Sequence, residues 1–258
     1  MGKIIDYPLL VLLISFVVMW LSAWLGVFLI RKQLLHESVR EDFGLVLAAT
    51  LTLLGLIIGF SFSMATSRYD QRKNYEEAEA NAIGTEYARA ELLPAKDAAK
   101  ARALLRSYTD QRILFYVTRD EREITEIDAR TARLQAKLWS AILAPARANP
   151  TPVMALVVSG MNDVLNSQSY TQAAWWNRIP TAAWFLMAAI AICCNILIGY
   201  RAHDCKKEAV LLLVLPLVVA ISFFLVADID SPRSGLIRVK PQNLESLAES
   251  LRAPIAKP

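Results

Sequence analysis

The chain alternates between stretches that are apolar and free of charge and stretches whose charges recur at helical spacing. Tyr7 to Ile30 carries no charged residue over about two dozen positions, enough at 1.5 Å per residue to cross a hydrocarbon core of roughly 30 Å. The run is about twice as long as the apolar region of a cleaved signal peptide, and no small-x-small cleavage site leads into a mature polar domain. It reads as a retained first transmembrane helix. Phe43 to Ser67 forms a second span and runs, with no proline between, into a charged, alanine-rich helical pattern that reaches Gly84. A membrane helix therefore continues into a water-exposed one. The third span is Ile179 to Tyr200, with Pro180 in its first turn, where a missing amide hydrogen costs nothing. The fourth is Ala209 to Ala227, with a kink expected at Pro216.

From Arg68 to Arg178 no stretch is long and apolar enough to span, and Ala, Glu, Leu, Arg and Lys dominate, as in helices. Ala80, Ile83, Tyr87 and Leu92 make a first stripe that Pro94 ends. Asp97 is placed to cap a second helix, with Ala101, Leu104, Leu105, Tyr108 and Leu114 as its apolar face. A third helix is predicted over Glu123 to Ala144, with Ile127, Leu134, Leu138 and Ile142, stopped at Asn149-Pro150-Thr151-Pro152. A fourth, Val153 to Trp176, leads to Trp175-Trp176-Asn177-Arg178, which has the composition of an interfacial belt. The pattern predicts an all-α membrane protein: a transmembrane hairpin over 1–67, a soluble helical insertion over 68–178, a second hairpin over 179–228 and a C-terminal tail over 229–258. An even number of crossings puts both termini on the same side as the insertion.

Composition agrees with a mixed membrane protein. The 258 residues are 55% apolar, too many for an average soluble domain, yet 20% charged, too many to lie wholly in lipid. The net charge of +4 has no basic stripe with interleaved aromatics, so it argues for membrane-flanking charge and against nucleic acid. The flanking charge does not orient the chain. Arg31, Lys32 and Arg40 in one short loop, and Arg201, Lys206 and Lys207 in the other, favour cytoplasmic loops. Lys3, Arg68, Arg72, Lys73, Arg178, Arg233, Arg238 and Lys240 favour the opposite. Cys193, Cys194 and Cys205 lack the spacing of a zinc site or disulfide framework. With no Cys/His cluster, Gly-rich phosphate cradle or nucleophile elbow, the sequence carries no enzymatic, metal or cofactor signature.

Two places carry candidate function. In the second span Gly55, Gly59, Ser63 and Ser67 recur at every fourth residue and share one helix face. Small side chains there let another backbone approach closely; alternatively the face lines a narrow pore, constricted by Ile57, Ile58, Phe60 and Phe62 with Ser61 among them. At the membrane edge, Asp228 and Asp230 leave the fourth span just before Ser231-Pro232-Arg233-Ser234-Gly235, a turn by composition. Arg68 and Arg72, flanking Asp70 at the corresponding end of the second span, are the expected partners. The group is either a structural ion pair or, with Arg233, a charged ring at a pore mouth.

The run FSFSMATSRYDQRKNYEEAEANAIGTEYARAELLP, the Arg178-Ile179-Pro180 lead into the third span, and Asp228-Ile229-Asp230-Ser231-Pro232-Arg233-Ser234-Gly235-Leu236-Ile237 together resemble the bacterial bestrophin-like domain proteins. The resemblance extends more distantly to the bestrophin chloride channels: Gly59-Phe60 is similar to the Gly-Phe of their pore helix, and Tyr69-Asp70 with Arg72 to the motif that follows it. The Arg-Asn pair after Gly-Phe is replaced here by Ser61-Phe62-Ser63-Met64, and the acidic calcium-binding cluster of animal bestrophins has no counterpart. The resemblance implies four membrane helices, a cytosolic helical insertion after the second, and a pentameric pore lined by that second helix. It implies an oligomeric, anion-permeable channel of the bacterial inner membrane, with both termini and residues 68–178 in the cytoplasm and lipid, small ions and copies of itself as partners. The rival expectation is a membrane-anchored scaffold whose insertion docks a partner and whose second helix only packs. A transporter fits less well, since no inverted repeat with paired broken helices is evident.

Overall fold

The computed structural model describes residues 5–30, 37–201 and 209–253. Lys3, Arg31, Lys32, Lys206 and Lys207, and the side chain of Arg40, all part of the orientation argument, lie outside the described residues, as does Cys205. All regular structure among those described is helical: α1 (Pro8–Ile30), α2 (Glu37–Arg89), a 3-10 turn (Ala90–Leu92), α3 (Ala95–Val117), α4 (Glu121–Ala148), α5 (Pro152–Trp176), α6 (Thr181–Arg201), α7 (Ala209–Asp230) and α8 (Gln242–Arg252). The chain divides into two compact units, Met1–Tyr69 with Arg178–Arg238, and Asp70–Asn177 with the stretch from Val239 onward. Helix α2 contributes to both. At 53 residues it is about 80 Å long, so only its uncharged part fits within a bilayer.

In the first unit α1 packs on α6 and α7. The α1–α6 contact is made backbone to backbone. A Cβ on Gly199 would fall on the Ala23 carbonyl, and one on Gly26 would overlap the Ile196 carbonyl and stand 2.7 Å from the Tyr200 nitrogen. The tight small-residue seam of this unit is thus Ala23, Gly26 and Gly199. Met19, Leu54, Met187, Ala191, Val219 and Phe223 fill the adjoining core. Ser15 and Ser22 are satisfied inside their own helix, donating to the carbonyls of Val11 and Val18 at 2.6 and 2.7 Å. The outer side of α1 is exposed Leu9, Leu13, Leu21, Trp24 and Phe28, a face made for lipid. Helix α7 runs unbroken through Pro216. Among the described residues four helices are long and apolar enough to cross a membrane.

The second unit is a helical assembly in which α3 packs on α4 and α8, and α4 on α5. Asp120 caps α4 by accepting from the amides of Arg122 and Glu123 (2.7 and 3.3 Å), which starts that helix at Glu121 rather than Glu123. It continues to Ala148, past Ala144, with Pro145 buried in its last turns. Thr151 caps α5 through the Met154 amide at 3.2 Å, with Pro152 at its first position. Asp97 caps nothing. Pro94 holds the N-cap position of α3 and its carbonyl takes the amides of Asp97 and Ala98, leaving Asp97 to place negative charge in the first turn.

Three sequence expectations change here. Tyr87 is half-buried, and Leu92 and Leu114 are exposed; the buried face of α3 instead runs through Ala98, Ala101, Leu105, Tyr108, Arg112 and Phe115. Trp175 is no interfacial belt residue. It is buried in the second unit with its ring 5.0 Å from Phe115 and 5.5 Å from Tyr116, while the adjacent Trp176 is 73% exposed. The C-terminal stretch contains a helix, α8, whose Leu244, Ala248 and Leu251 are buried.

Candidate functional site

The span portion of α2 is the least covered of the four by its own chain. Only 6% of its most apolar window is buried, against 33% for the first and third spans and 50% for the fourth. Leu54, Ser61 and Ala65 form the side turned inward, and Ile57 and Ile58 pack half-buried on the first unit's core. Gly55, Gly59, Ser63 and Ser67 lie on the opposite, exposed side with Thr52, and among the described residues no atom comes within 4 Å of a Cβ built on Gly55 or Gly59. Phe60 is 63% exposed beside them, and Phe62 is exposed as well. Among the described residues, therefore, no other helix of the chain covers Gly55 or Gly59. Of the constriction candidates, Phe60 and Phe62 point away from the chain's own core, while Ile57, Ile58 and Ser61 are turned towards it.

The membrane-edge carboxylates are held largely by backbone. Asp228 accepts from the amides of Leu236 and Ile237 at 2.7 and 2.8 Å, closing the turn that follows α7. Asp230, at 0% exposure, accepts from the Ile179 amide at 3.2 Å and from Arg178 Nε at 3.1 Å. Arg178 also reaches Asp6 at 2.9 Å and Ser231 Oγ at 3.1 Å, and Ser231 in turn donates to the Ile5 carbonyl at 3.2 Å. One guanidinium thus ties the start of α1 and the lead into α6 to the end of α7, with charge-assisted bonds. Arg68 and Arg233 are half-buried at this level, and Asp70 is exposed on α2. Arg72 lies in the second unit, where it donates to the carbonyls of Ala174 and Asn177 at 3.2 and 3.3 Å and so satisfies the C-terminal end of α5.

Arg72 opens a buried stripe along the water-exposed half of α2: Arg72, Glu76, Glu79, Ile83 and Glu86, at alternating intervals of four and three residues on one helix face, continued by Ala90 in the 3-10 turn. Glu76 takes the Leu244 amide at 2.9 Å and Asn243 Nδ2 at 2.6 Å, capping α8, whose N-cap position is a proline with no side-chain acceptor. Burial pushes the Glu76 carboxyl up, against those hydrogen bonds, which hold it down. Glu79 pairs with Arg112 through two bonds and also receives Tyr116 Oη at 3.3 Å and Thr171 Oγ1 at 3.2 Å. Arg112 lies 4.4 Å from the Phe115 ring centroid. Burial, reinforced by the Glu79 charge, raises the phenols of Tyr108 and Tyr116 above their ordinary range, so both stay protonated; Tyr116 donates to Glu79, and Tyr108 accepts from Gln135 at 3.4 Å. Among the described residues no cluster of His, Cys, Asp or Glu is disposed to hold a metal ion. The arrangement holds helices together and presents one uncovered span.

The Bestrophin-like domain matches residues 13–244, nearly the whole chain. The chain belongs to the Bestrophin-like family. Its membership places it among membrane proteins of the channel kind. Solved structures share the fold: a bacterial bestrophin homologue from Klebsiella pneumoniae aligns at 13% identity over 93% of this chain and 97% of that one, with a TM-score of 0.62. Another structure, described as a membrane protein, aligns at 13% identity over 93% and 96%, with a TM-score of 0.64. No curated protein matches the sequence.

Two features of this Bestrophin-like chain escaped sequence reasoning. The pairing of Arg178 with Asp230 is one; its signal in the sequence is an arginine at the head of the third span and Asp228-Ile229-Asp230 at the end of the fourth. The other is the buried stripe on α2, whose spacing is carried by the charged residues Arg72, Glu76, Glu79 and Glu86 rather than by apolar ones.

Proposed function

We propose that this Bestrophin-like chain assembles with copies of itself into an anion-permeable channel of the bacterial inner membrane, its pore lined by the span portion of α2. One observation carries the reading: α2 is as apolar as the other spans yet is almost uncovered by its own chain, and the surface it leaves open includes a small, hydroxyl-bearing strip beside exposed Leu53, Leu56 and Phe60. A lipid-facing surface has no reason to be built of Thr52, Gly55, Gly59 and Ser63, and α1 has the aliphatic and aromatic residues such a surface favours. A ring of copies covers one flank of α2 with a neighbour and leaves the other to water. Within that ring Phe60 and Phe62 supply the apolar constriction, and Ile57 and Ile58 support them from the core side. The family resemblance supports anion passage, five copies, and a cytoplasmic position for both termini and the second unit.

Purified protein tests this in two readings: the mass of the assembled particle, and halide against sodium flux in liposomes. A ring that passes halide is the expected result. A monomer or dimer without flux overturns it and leaves a membrane-anchored scaffold.

A further inference from the structure

Glu86 is the charged member of the buried α2 stripe that no hydrogen bond holds among the described residues. It is 1% exposed, between Ile83 on its own helix and Ala90 of the 3-10 turn that follows, and neither carboxyl oxygen has a hydrogen-bond partner among the described residues. It lies over Gly160 of α5: a Cβ on that glycine would overlap Glu86 Oε2 and stand 2.5 Å from Arg89 Nη1. The carboxyl and the guanidinium, therefore, come within a few ångström of each other above the same bare patch of backbone, and yet they do not bond. Arg89 Nη1 instead donates, at 3.4 Å, to the Leu156 carbonyl, which in the α5 ladder is the acceptor for the Gly160 amide. A buried carboxylate with no partner is among the most costly groups in a protein interior, and such a group stays neutral unless a partner is brought to it.

We propose that Glu86 is a proton-operated switch of the α2–α5 contact: protonated, it packs as a neutral group over Gly160, and ionised, it captures Arg89 and withdraws that guanidinium from the Leu156 carbonyl. The mechanism is independent of ion passage. Burial pushes the carboxyl up to about 8, opposed by Arg89 on its own helix and reinforced by Asp163 on α5; among the described residues no other charged group shifts it. Between the ordinary value of 4.5 and 8 the folded state holds a proton that the unfolded state has released. Its contribution to stability is therefore complete below 4.5 and is lost as pH rises through 8.

Infrared difference titration of the full-length protein reads the proton directly. A protonated-carboxyl band that bleaches with a midpoint near 8, and is missing from Glu86→Gln, is the expected result. Glu76, also raised, remains in both proteins and cancels in the difference. Hydrogen exchange over Pro152–Val164, corrected for the intrinsic pH dependence of exchange, reads the contact: wild type loses protection across this midpoint and Glu86→Gln does not. Gly160→Ala expels the carboxyl from its seat and lowers the midpoint by at least about one pH unit, which keeps the test open if Glu86→Gln fails to fold. A band bleaching near 4.5, or equal loss of protection in wild type and Glu86→Gln, overturns the proposal.

Discussion

The first and second spans are equally apolar, and either by itself reads as an ordinary membrane helix. Their glycines separate them. Gly26 of α1 is pressed against the backbone of α6, where a single methyl group has no room, whereas Gly55 and Gly59 of α2 face open space. The first span buries its small side within the chain and turns Leu, Trp and Phe outward; the second leaves its small side, Gly55, Gly59 and Ser63, uncovered beside exposed Leu53, Leu56 and Phe60. Hydropathy thus identifies what can cross a bilayer, and the placement of small residues tells whether a span is sealed by its own chain or waits for something else to cover it.

The comparison breaks most severely at the seam. Gly199→Ala places a methyl group on the Ala23 carbonyl, a backbone atom that cannot step aside, and is expected to cost about 3 kcal/mol in unfolding of the detergent-solubilised protein. Asp230→Ala removes the acceptor for both Arg178 and the Ile179 amide, loosening the corner that joins α1, α6 and α7; about 2 kcal/mol is the expected loss. Asp230→Asn sharpens this, because it keeps an acceptor for Ile179 while removing the charge. Lost assembly marks a structural pair; intact assembly with altered ion preference marks a charged ring at the pore mouth. In the water-exposed half of α2, Glu76→Ala uncaps α8 at a cost of about 1 kcal/mol, seen as faster proteolysis beyond Val239. Smallest is Gly59→Ala, which should leave the chain's own stability within about 0.5 kcal/mol, since the added methyl meets nothing in it. Gly59→Leu should leave stability equally untouched and lower flux.

The sequence was most legible where one periodicity ruled. Uncharged runs located all four spans, and the Asn149-Pro150-Thr151-Pro152 break separated α4 from α5 because proline and a hydroxyl cap act locally. It was least legible where a distant partner decides the outcome. The buried role of Glu79 depends on Arg112, Tyr116 and Thr171, which arrive from α3 and α5. Trp175 and Trp176 are neighbours in sequence, and only the aromatic pair of Phe115 and Tyr116 assigns one to the interior. Helix α8 had a readable stripe in Leu244, Ala248 and Leu251, but at 11 residues it is too short to stand without the cap that Glu76 lends it.

Whether the open face of α2 meets water is best decided by cysteine accessibility in reconstituted vesicles, in a background where Cys193, Cys194 and Cys205 are replaced by alanine. A charged, membrane-impermeant thiol reagent supplied on both sides of the bilayer should modify Gly59→Cys and Ser63→Cys readily and spare Leu13→Cys and Leu21→Cys on the lipid face of α1. Equal protection at all four positions would contradict the account, because it would place the second span in lipid like the first.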